Sequence, residues 1–443
     1  MDDASALFLD TAAAIGARLC RDAYWAGDRC TWIGASMEPQ DGTWSVVYRT
    51  LGADLYGGTS GVALFLARLF AATDERPLRT AAEGALRQAV ALEPRIPASA
   101  RPSFWSGAAG VGYAFVAAGE ALDREDLVAD GAARLQAACA APLPPDVEVD
   151  VIGGVAGAIP ALLSVHRRRP ADALVDAAVR FGDVALARAN RGPHGASWGG
   201  AAAPNAPDLT GFAHGAAGVA HALLELFAAT GEARFRATAE EAFRYERHWF
   251  SAQQGNWPDL REYVDEPGGP GPSYALGWCH GAPGIGLSRA RAFELLGDRA
   301  LRDEAEVAAR TTAAGFPQLA APPYGNFSLC HGAAGNADLM LEADRVLGGA
   351  EWRTAAEEVG RRGVEKYERA GVPWAGGVTG GGESPALMLG AAGTGYFYLR
   401  LADPEATPPV TIVLPEADAR SSSHARATWR RSVRMLPTAS RST

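Results

Sequence analysis

The 443-residue chain is predicted to be all-α, an α/α toroid with a double ring of about seven inner and seven outer helices. Three observations lead there. A Gly-x-x-Gly pattern directly ahead of an apolar run recurs seven times, each such run is helix-like, and charged amphipathic segments lie between those runs. A repeat of this length marks an architecture in which no single unit can bury its apolar face alone.

The paired glycines are Gly58/Gly61, Gly107/Gly110, Gly154/Gly157, Gly215/Gly218, Gly281/Gly284, Gly332/Gly335 and Gly390/Gly393. Successive second glycines lie 49, 47, 61, 66, 51 and 58 residues apart. The runs that follow, such as VALFLARLF and VAHALLELF, are apolar on most faces and are predicted as buried inner helices. Segments 76–93, 170–189, 232–250 and 351–370 alternate charged and apolar residues at helical spacing and are predicted as half-buried outer helices. Glycines at the inner-helix starts permit tight turning and close backbone approach. No copy carries the Gly-Lys-Ser/Thr ending of a phosphate-cradling loop. Strand signals are sparse; Thr43–Tyr48 is expected to form a short local strand. Residues 1–410 are expected to form one toroidal domain. Residues 411–443, with six Arg from position 420 onward among Ser, Ala and Thr, are expected to be a disordered tail.

Bulk properties remove several function classes. A formal charge of −10 argues against a duplex nucleic-acid binder, whose affinity comes from Lys and Arg neutralising phosphates. The acidic start Met1-Asp2-Asp3 lacks the basic and apolar regions of a secretory signal, and no apolar run is long enough for a membrane span. A cytoplasmic location is therefore expected. Five cysteines form no dense framework, and reducing cytosol disfavours disulfides, which leaves ligand or nucleophile roles.

Three consecutive repeats place His immediately before the first glycine: His214, His280 and His331. Two of them add a preceding cysteine, giving Trp278-Cys279-His280-Gly281 and Leu329-Cys330-His331-Gly332. In a toroid, equivalent repeat positions meet at one rim, so residues 51 apart can share a site. Two thiolates and an imidazole suit Zn²⁺, and three protein ligands leave a fourth position for water or substrate. Burial of Cys279 and Cys330 as core thiols is the alternative reading.

The segments GFAHGAAGVAHALL, GWCHGAPGIGL and LCHGAAGNADLML resemble the signature motifs of lanthionine synthetase C-like cyclases, most closely the C-terminal cyclase domain of class II, LanM-type synthetases. Supporting stretches are LGADLYGGTSGVALFLARL, DVIGGVAGAIPALL, RYERHWFSAQQGNWPDLRE and SPALMLGAAGTGYFYLRLADP, so the resemblance covers roughly residues 8 to 410. It implies that Cys279, Cys330 and His331 hold one Zn²⁺, whose open position takes a cysteine of a dehydrated precursor peptide. It implies that this thiolate adds to dehydroalanine or dehydrobutyrine, closing a lanthionine or methyllanthionine ring. It further implies His214 as the general acid/base, with Asp150 orienting it. Simple helix capping remains the other reading of Asp150. His280 is not expected as a fourth ligand; Trp278, Asn256, Trp257 and Asp259 are candidates to line the peptide groove, although aromatic residues at such positions more often serve packing.

Two departures stand out. A class II synthetase carries a large N-terminal dehydratase domain, whereas here the cyclase pattern begins almost at Met1, so either a separate dehydratase is the expected partner or the chain is a fragment, a pseudo-partner or an isolated homologue with another substrate. The pattern also fades after Pro404. A non-catalytic zinc-binding module that docks a peptide or partner, and a toroidal enzyme of other chemistry, remain as alternatives.

Overall fold

A helix that is apolar all round needs neighbours all round, and a closed ring of such helices inside a second ring satisfies that demand. The computed structural model has this arrangement; it describes residues 3–40, 43–199, 207–263, 271–319 and 325–415. After α1 (Asp3–Arg21) come two antiparallel hairpins, β1 (Tyr24–Ala26) with β2 (Arg29–Thr31) and β3 (Ile33–Gln40) with β4 (Thr43–Thr50). Helices then alternate: α2 (Thr59–Thr73), α3 (Arg76–Leu92), α4 (Ala108–Leu122), α5 (Glu125–Ala140), α6 (Ala158–Arg168) and α7 (Asp172–Ala187). A small hairpin, β5 (Asn190–Gly192) with β6 (Gly195–Ser197), precedes α8 (Ala216–Thr230), α9 (Ala233–Trp249), α10 (Ala282–Leu296), α11 (Arg299–Ala314) and the short α12 (Phe316–Leu319). The last three are α13 (Ala333–Leu347), α14 (Ala350–Gly363) and α15 (Ala391–Ala402).

The inner ring is α2, α4, α6, α8, α10, α13 and α15; each packs on the next, and α15 packs back on α2. Each of α3, α5, α7, α9, α11 and α14 covers the inner helix that precedes it in the chain, while α1 covers α15. The N-terminal helix thus completes the outer ring by closing on the last repeat. The fold is an α/α toroid, as the repeat predicts. The expected strand at 43–48 is the core of β4; its partner β3 and the two smaller hairpins carried too little alternation to be read from sequence.

Glycine at the second motif position has a common cause in all seven copies. A Cβ on Gly61, Gly110, Gly157, Gly218, Gly284, Gly335 or Gly393 would lie 1.7–2.2 Å from the carbonyl oxygen six residues earlier. That loop carbonyl lies against the first turn of the inner helix, and backbone has no rotamer with which to yield. The inner helices also carry charge where sequence reading saw mainly apolar surface. Arg289 of α10 is fully buried between Glu246 (2.7 Å) and Glu304 (2.6 Å). Arg400 of α15 is likewise buried against Glu342 (2.7 Å) and Asp338 (3.0 Å). Removing one partner of such a pair strands the other, so these are bonds between ring neighbours rather than reserves of stability.

Of the expected tail, residues 411–415 fall inside the described structure and are not loose. Thr411, Ile412 and Val413 are buried; the Thr411 carbonyl accepts the Trp278 indole N–H at 2.7 Å and its hydroxyl bonds Asp338. The apolar Val410–Val413 stretch finds cover inside the ring, which a reading by repeat period does not foresee. The remainder of that tail, 416–443, lies outside the described residues.

Because the obstruction at the second glycine is backbone, Gly335→Ala is expected to cost about 3 kcal/mol or more in chemical denaturation. Gly192→Ala, where an added Cβ meets nothing within 4 Å, serves as the control with little change.

Candidate metal centre

The loops entering the inner helices are tied to one another by their backbones. The residue two before the first glycine of each repeat is Tyr56, Trp105, Ile152, Ala213, Cys279, Cys330 or Met388. Cys279 N–H donates to Cys330 O (3.3 Å), Cys330 N–H to Met388 O (2.9 Å), Met388 N–H to Tyr56 O (3.0 Å) and Tyr56 N–H to Trp105 O (2.9 Å). Ile152 N–H donates to Ala213 O (3.3 Å), which carries on through Ala213 N–H to Cys279 O (3.2 Å). The remaining link is made by a side chain, Ser106 Oγ to Ile152 O (3.0 Å). A closed belt of hydrogen bonds therefore runs round the rim and places equivalent residues of adjacent repeats side by side.

On this belt Cys279, Cys330 and His331 present three ligand atoms that all lie within 4.8 Å of one another. His331 Nε2 is hydrogen-bonded to the Gly377 carbonyl at 2.8 Å, an acceptor, so Nε2 carries the proton and Nδ1 is left with its lone pair. Metal-bound histidines are oriented by this kind of outer bond. Burial lowers the His331 pKa, but its contact with the Cys279 sulfur and its bond to the Gly377 carbonyl outweigh that, and the net shift is upward. The hydrogen bond from Cys279 holds the Cys330 thiol below its ordinary pKa, against burial and with help from Tyr56; Cys279, donating and desolvated, is pushed up. A donor set of two sulfurs and one nitrogen, with Cys330 buried, Cys279 and His331 half-buried and one thiolate already favoured, fits Zn²⁺.

His214 stands one repeat away. Its Nδ1 bonds Asp150 Oδ2 at 2.6 Å, and Asp150 Oδ1 accepts the Gly153 and Gly154 backbone N–H groups at 2.7 and 2.8 Å. Asp150 therefore braces its loop and bonds the histidine at once. Asp54 holds the same position in the first repeat and accepts Gly57 N–H at 2.7 Å, but the following repeat offers Ser106 where the fourth repeat offers His214. Burial lowers the His214 pKa, yet the hydrogen bond and charge of Asp150 outweigh it, and the net shift is upward. His280 is nearly inaccessible and stacks on His214 with centroids 5.9 Å apart. Burial, aided by the Arg261 charge, lowers its pKa to about 4, so it is a neutral imidazole.

The groove residues expected from sequence divide. Trp278 and Trp257 are core: Trp278 packs on Trp105 and Phe212, Trp257 on Phe250. Asn256 is a buried brace whose Oδ1 accepts Trp257 and Ala282 N–H (2.8 and 2.7 Å) and whose amide donates to Ala275 O. Asp259 does belong near the site, 3.9 Å from His280 Nδ1, and it holds Arg261 through both oxygens. Arg261 went unnoticed in the sequence, as did Tyr56. Arg261 has no periodic signal, lying in a turn-rich loop; Tyr56 was recognisable only as the first repeat's counterpart of the two cysteines. Tyr56 and His331 line one cavity of about 1030 Å³, while His214, Asp150 and Arg261 line another of about 740 Å³.

Comparisons with known proteins bear on the family and the fold. A family model described as "Lanthionine synthetase C-like protein" matches residues 49–414. Among solved structures, the chain is similar to "Nisin cyclase" at TM-score 0.57 and 18% identity, over 82% of this chain and 89% of that one. It also matches an unsaturated glucuronyl hydrolase specific for heparin, at TM-score 0.44 and 12% identity, over 94% of this chain and 100% of that chain. With a family model spanning most of its length and both Cys-His-Gly signatures on one rim, the chain belongs to the lanthionine synthetase C-like family.

Proposed function

We propose that this protein is a zinc-dependent cyclase of lanthipeptide biosynthesis that joins a cysteine of a dehydrated peptide to a dehydroalanine or dehydrobutyrine. The observation that carries the reading is the convergence of Cys279, Cys330 and His331, with His331 Nε2 committed to the Gly377 carbonyl. The paired Cys-His-Gly motifs support the class II resemblance, and a separate dehydratase would supply the substrate. Ligand cysteines require a reducing compartment, which favours the cytoplasm.

Bound zinc supplies one thing here: it lowers the pKa of a thiol in its open position, so that the substrate cysteine is a thiolate at neutral pH. Cys279, Cys330 and His331 fix the place of that sulfur. As the C–S bond forms at the β-carbon, the alkene π pair moves toward the α-carbon and the adjacent carbonyl, giving an enolate. Arg261, held by Asp259 in the cavity it shares with His214, provides positive charge for that oxygen. His214 then delivers a proton to the α-carbon, and the proton released by the thiol restores it. Asp150 fixes the Nδ1–H tautomer and stabilises the imidazolium, leaving Nε2 as the transferring atom.

Metal analysis of protein purified without chelator is expected to give about one zinc per chain, lost in Cys330→Ala. Metal-free wild type would end the zinc reading. His214→Ala is expected to keep zinc and slow ring closure by about 10²–10⁴-fold, followed by alkylation of free thiols and mass spectrometry on a synthetic peptide with dehydroalanine upstream of cysteine. Zinc-loaded wild type that leaves the thiol free would favour a non-catalytic peptide-binding module. The upward shift of His214 keeps its imidazolium to higher pH, so activity should fall as pH rises through that pKa. In Asp150→Asn the raising influence is gone, and the alkaline limb of the rate profile is expected to move to lower pH with zinc content unchanged.

A further inference from the structure

The β3–β4 hairpin is amphipathic with its apolar side facing outward. Cross-strand partners share a face, and the register pairs Ala35 with Tyr48, Met37 with Val46 and Pro39 with Trp44. That face is apolar, while the opposite one carries Ser36, Glu38, Thr43 and Arg49. Of the eight large apolar side chains exposed among the described residues, six lie between positions 24 and 48. On the hairpin face itself Ile33 is 48% exposed, Met37 40%, Trp44 69% and Tyr48 63%. So much apolar surface concentrated on one element marks a binding surface.

The hairpin is also fixed in place. The Tyr48 hydroxyl donates to Gly381 O at 3.2 Å, and Gly381 gives no room for a side chain because Ala35 lies against it. The roughly 1030 Å³ groove that contains His331 is also lined by Gly34, Ala35, Ser36 and Met37 of β3 and by Arg49 and Thr50 of β4. Side chains alternate along a strand, so four consecutive lining residues mean that the groove reaches both faces of β3 rather than one. In a two-stranded sheet β3 has one edge unpaired by its partner. An unpaired edge beside an apolar face suits an extended peptide that adds as a third strand.

We infer that the β3 edge and the Ile33/Met37/Trp44/Tyr48 face dock an extended segment of the substrate peptide and lead its reacting portion along the groove to the metal centre. The inference rests on the peptide-cyclase reading given above. A peptide is the occupant because the surface continues into the groove: a folded partner would cover the mouth, whereas a slender chain uses both parts. Recognition through backbone pairing tolerates varied sequences, and alternate apolar side chains are what the exposed face selects.

The test is a binding measurement that involves no chemistry. Fluorescein-labelled Thr-Val-Thr-Leu-Thr-Val-Gly-Gly-Ser, which has no thiol for the metal, is titrated with full-length protein and followed by anisotropy. The double variant Met37→Ser/Trp44→Ala, both exposed positions, is expected to bind about tenfold or more weakly with unchanged zinc content and thermal midpoint. Cys330→Ala is expected to bind this probe as the wild type does, so failure of docking and failure of the zinc chemistry are read separately. In hydrogen exchange, the probe is expected to protect residues 33–38 of the wild type. The inference is overturned if the double variant matches wild-type affinity, if wild type shows no binding, or if protection falls elsewhere. It is equally overturned if sedimentation shows that the hairpin face joins two copies of the chain while the affinity for the probe is untouched by the substitutions.

Discussion

The belt of hydrogen bonds around the rim is the constraint on which the rest of the molecule depends. Six of the seven loops ahead of the inner helices pass a backbone N–H to the carbonyl of the equivalent residue in the neighbouring repeat, from Ile152 through Ala213, Cys279, Cys330, Met388 and Tyr56 to Trp105, and the Ser106 hydroxyl closes the belt. The same loops press a carbonyl against the second glycine of the motif, at a distance that admits no Cβ. Together the two contacts hold the loops in register with the ring. Buried backbone groups must find partners, and here the partner of each repeat is the next repeat. A defect in one loop is therefore passed to its neighbours, including the loops of the metal centre.

Upon this common frame the repeats differ only in a few side chains, and those differences divide the chemistry. The belt position bears a thiol in the fifth and sixth repeats; the position after it bears imidazole in the fourth, fifth and sixth. The three imidazoles are not alike. His331 is fixed through Nε2 by a carbonyl, His214 is raised in basicity by a carboxylate, and His280 is kept neutral by burial and by Arg261. Identical backbone placement with different second partners is how one motif can serve a candidate metal ligand, a candidate acid and a neutral neighbour.

The pairing of Asp150 with His214 illustrates a limit of reading residues singly. From sequence, capping a loop and orienting a histidine were two compatible accounts of the same carboxylate. The geometry combines them, because one oxygen braces Gly153 and Gly154 while the other reaches across to the next repeat. Asp54 makes the bracing bond and has no histidine to meet, so the loop role is general and the histidine contact belongs to one repeat. Trp278 and Asn256 went the other way: residues expected along a groove serve as core and as a loop brace, since an aromatic or amide next to a motif says nothing about which side of the loop it faces.

What the sequence made legible by itself was whatever repeats or is chemically distinctive: the seven-fold period, the inner and outer helices, and the candidates Cys279, Cys330, His331 and His214, while Asp150 and the division of roles came from the family resemblance. These signals are local, being helical periodicity and rare residue types at fixed offsets from a glycine pair. Only the tertiary structure decided which of them meet. Closure of the ring brings α1 onto α15, sets Tyr56 beside Cys330 and carries Arg261 from an irregular loop to the cavity of His214. It also turns the apolar face of the β3–β4 hairpin outward and draws Val410–Val413 into the interior. The reason is physical: burial and proximity across a ring are set by hydrogen bonds between distant repeats, and no local pattern in the chain encodes where the ring will close.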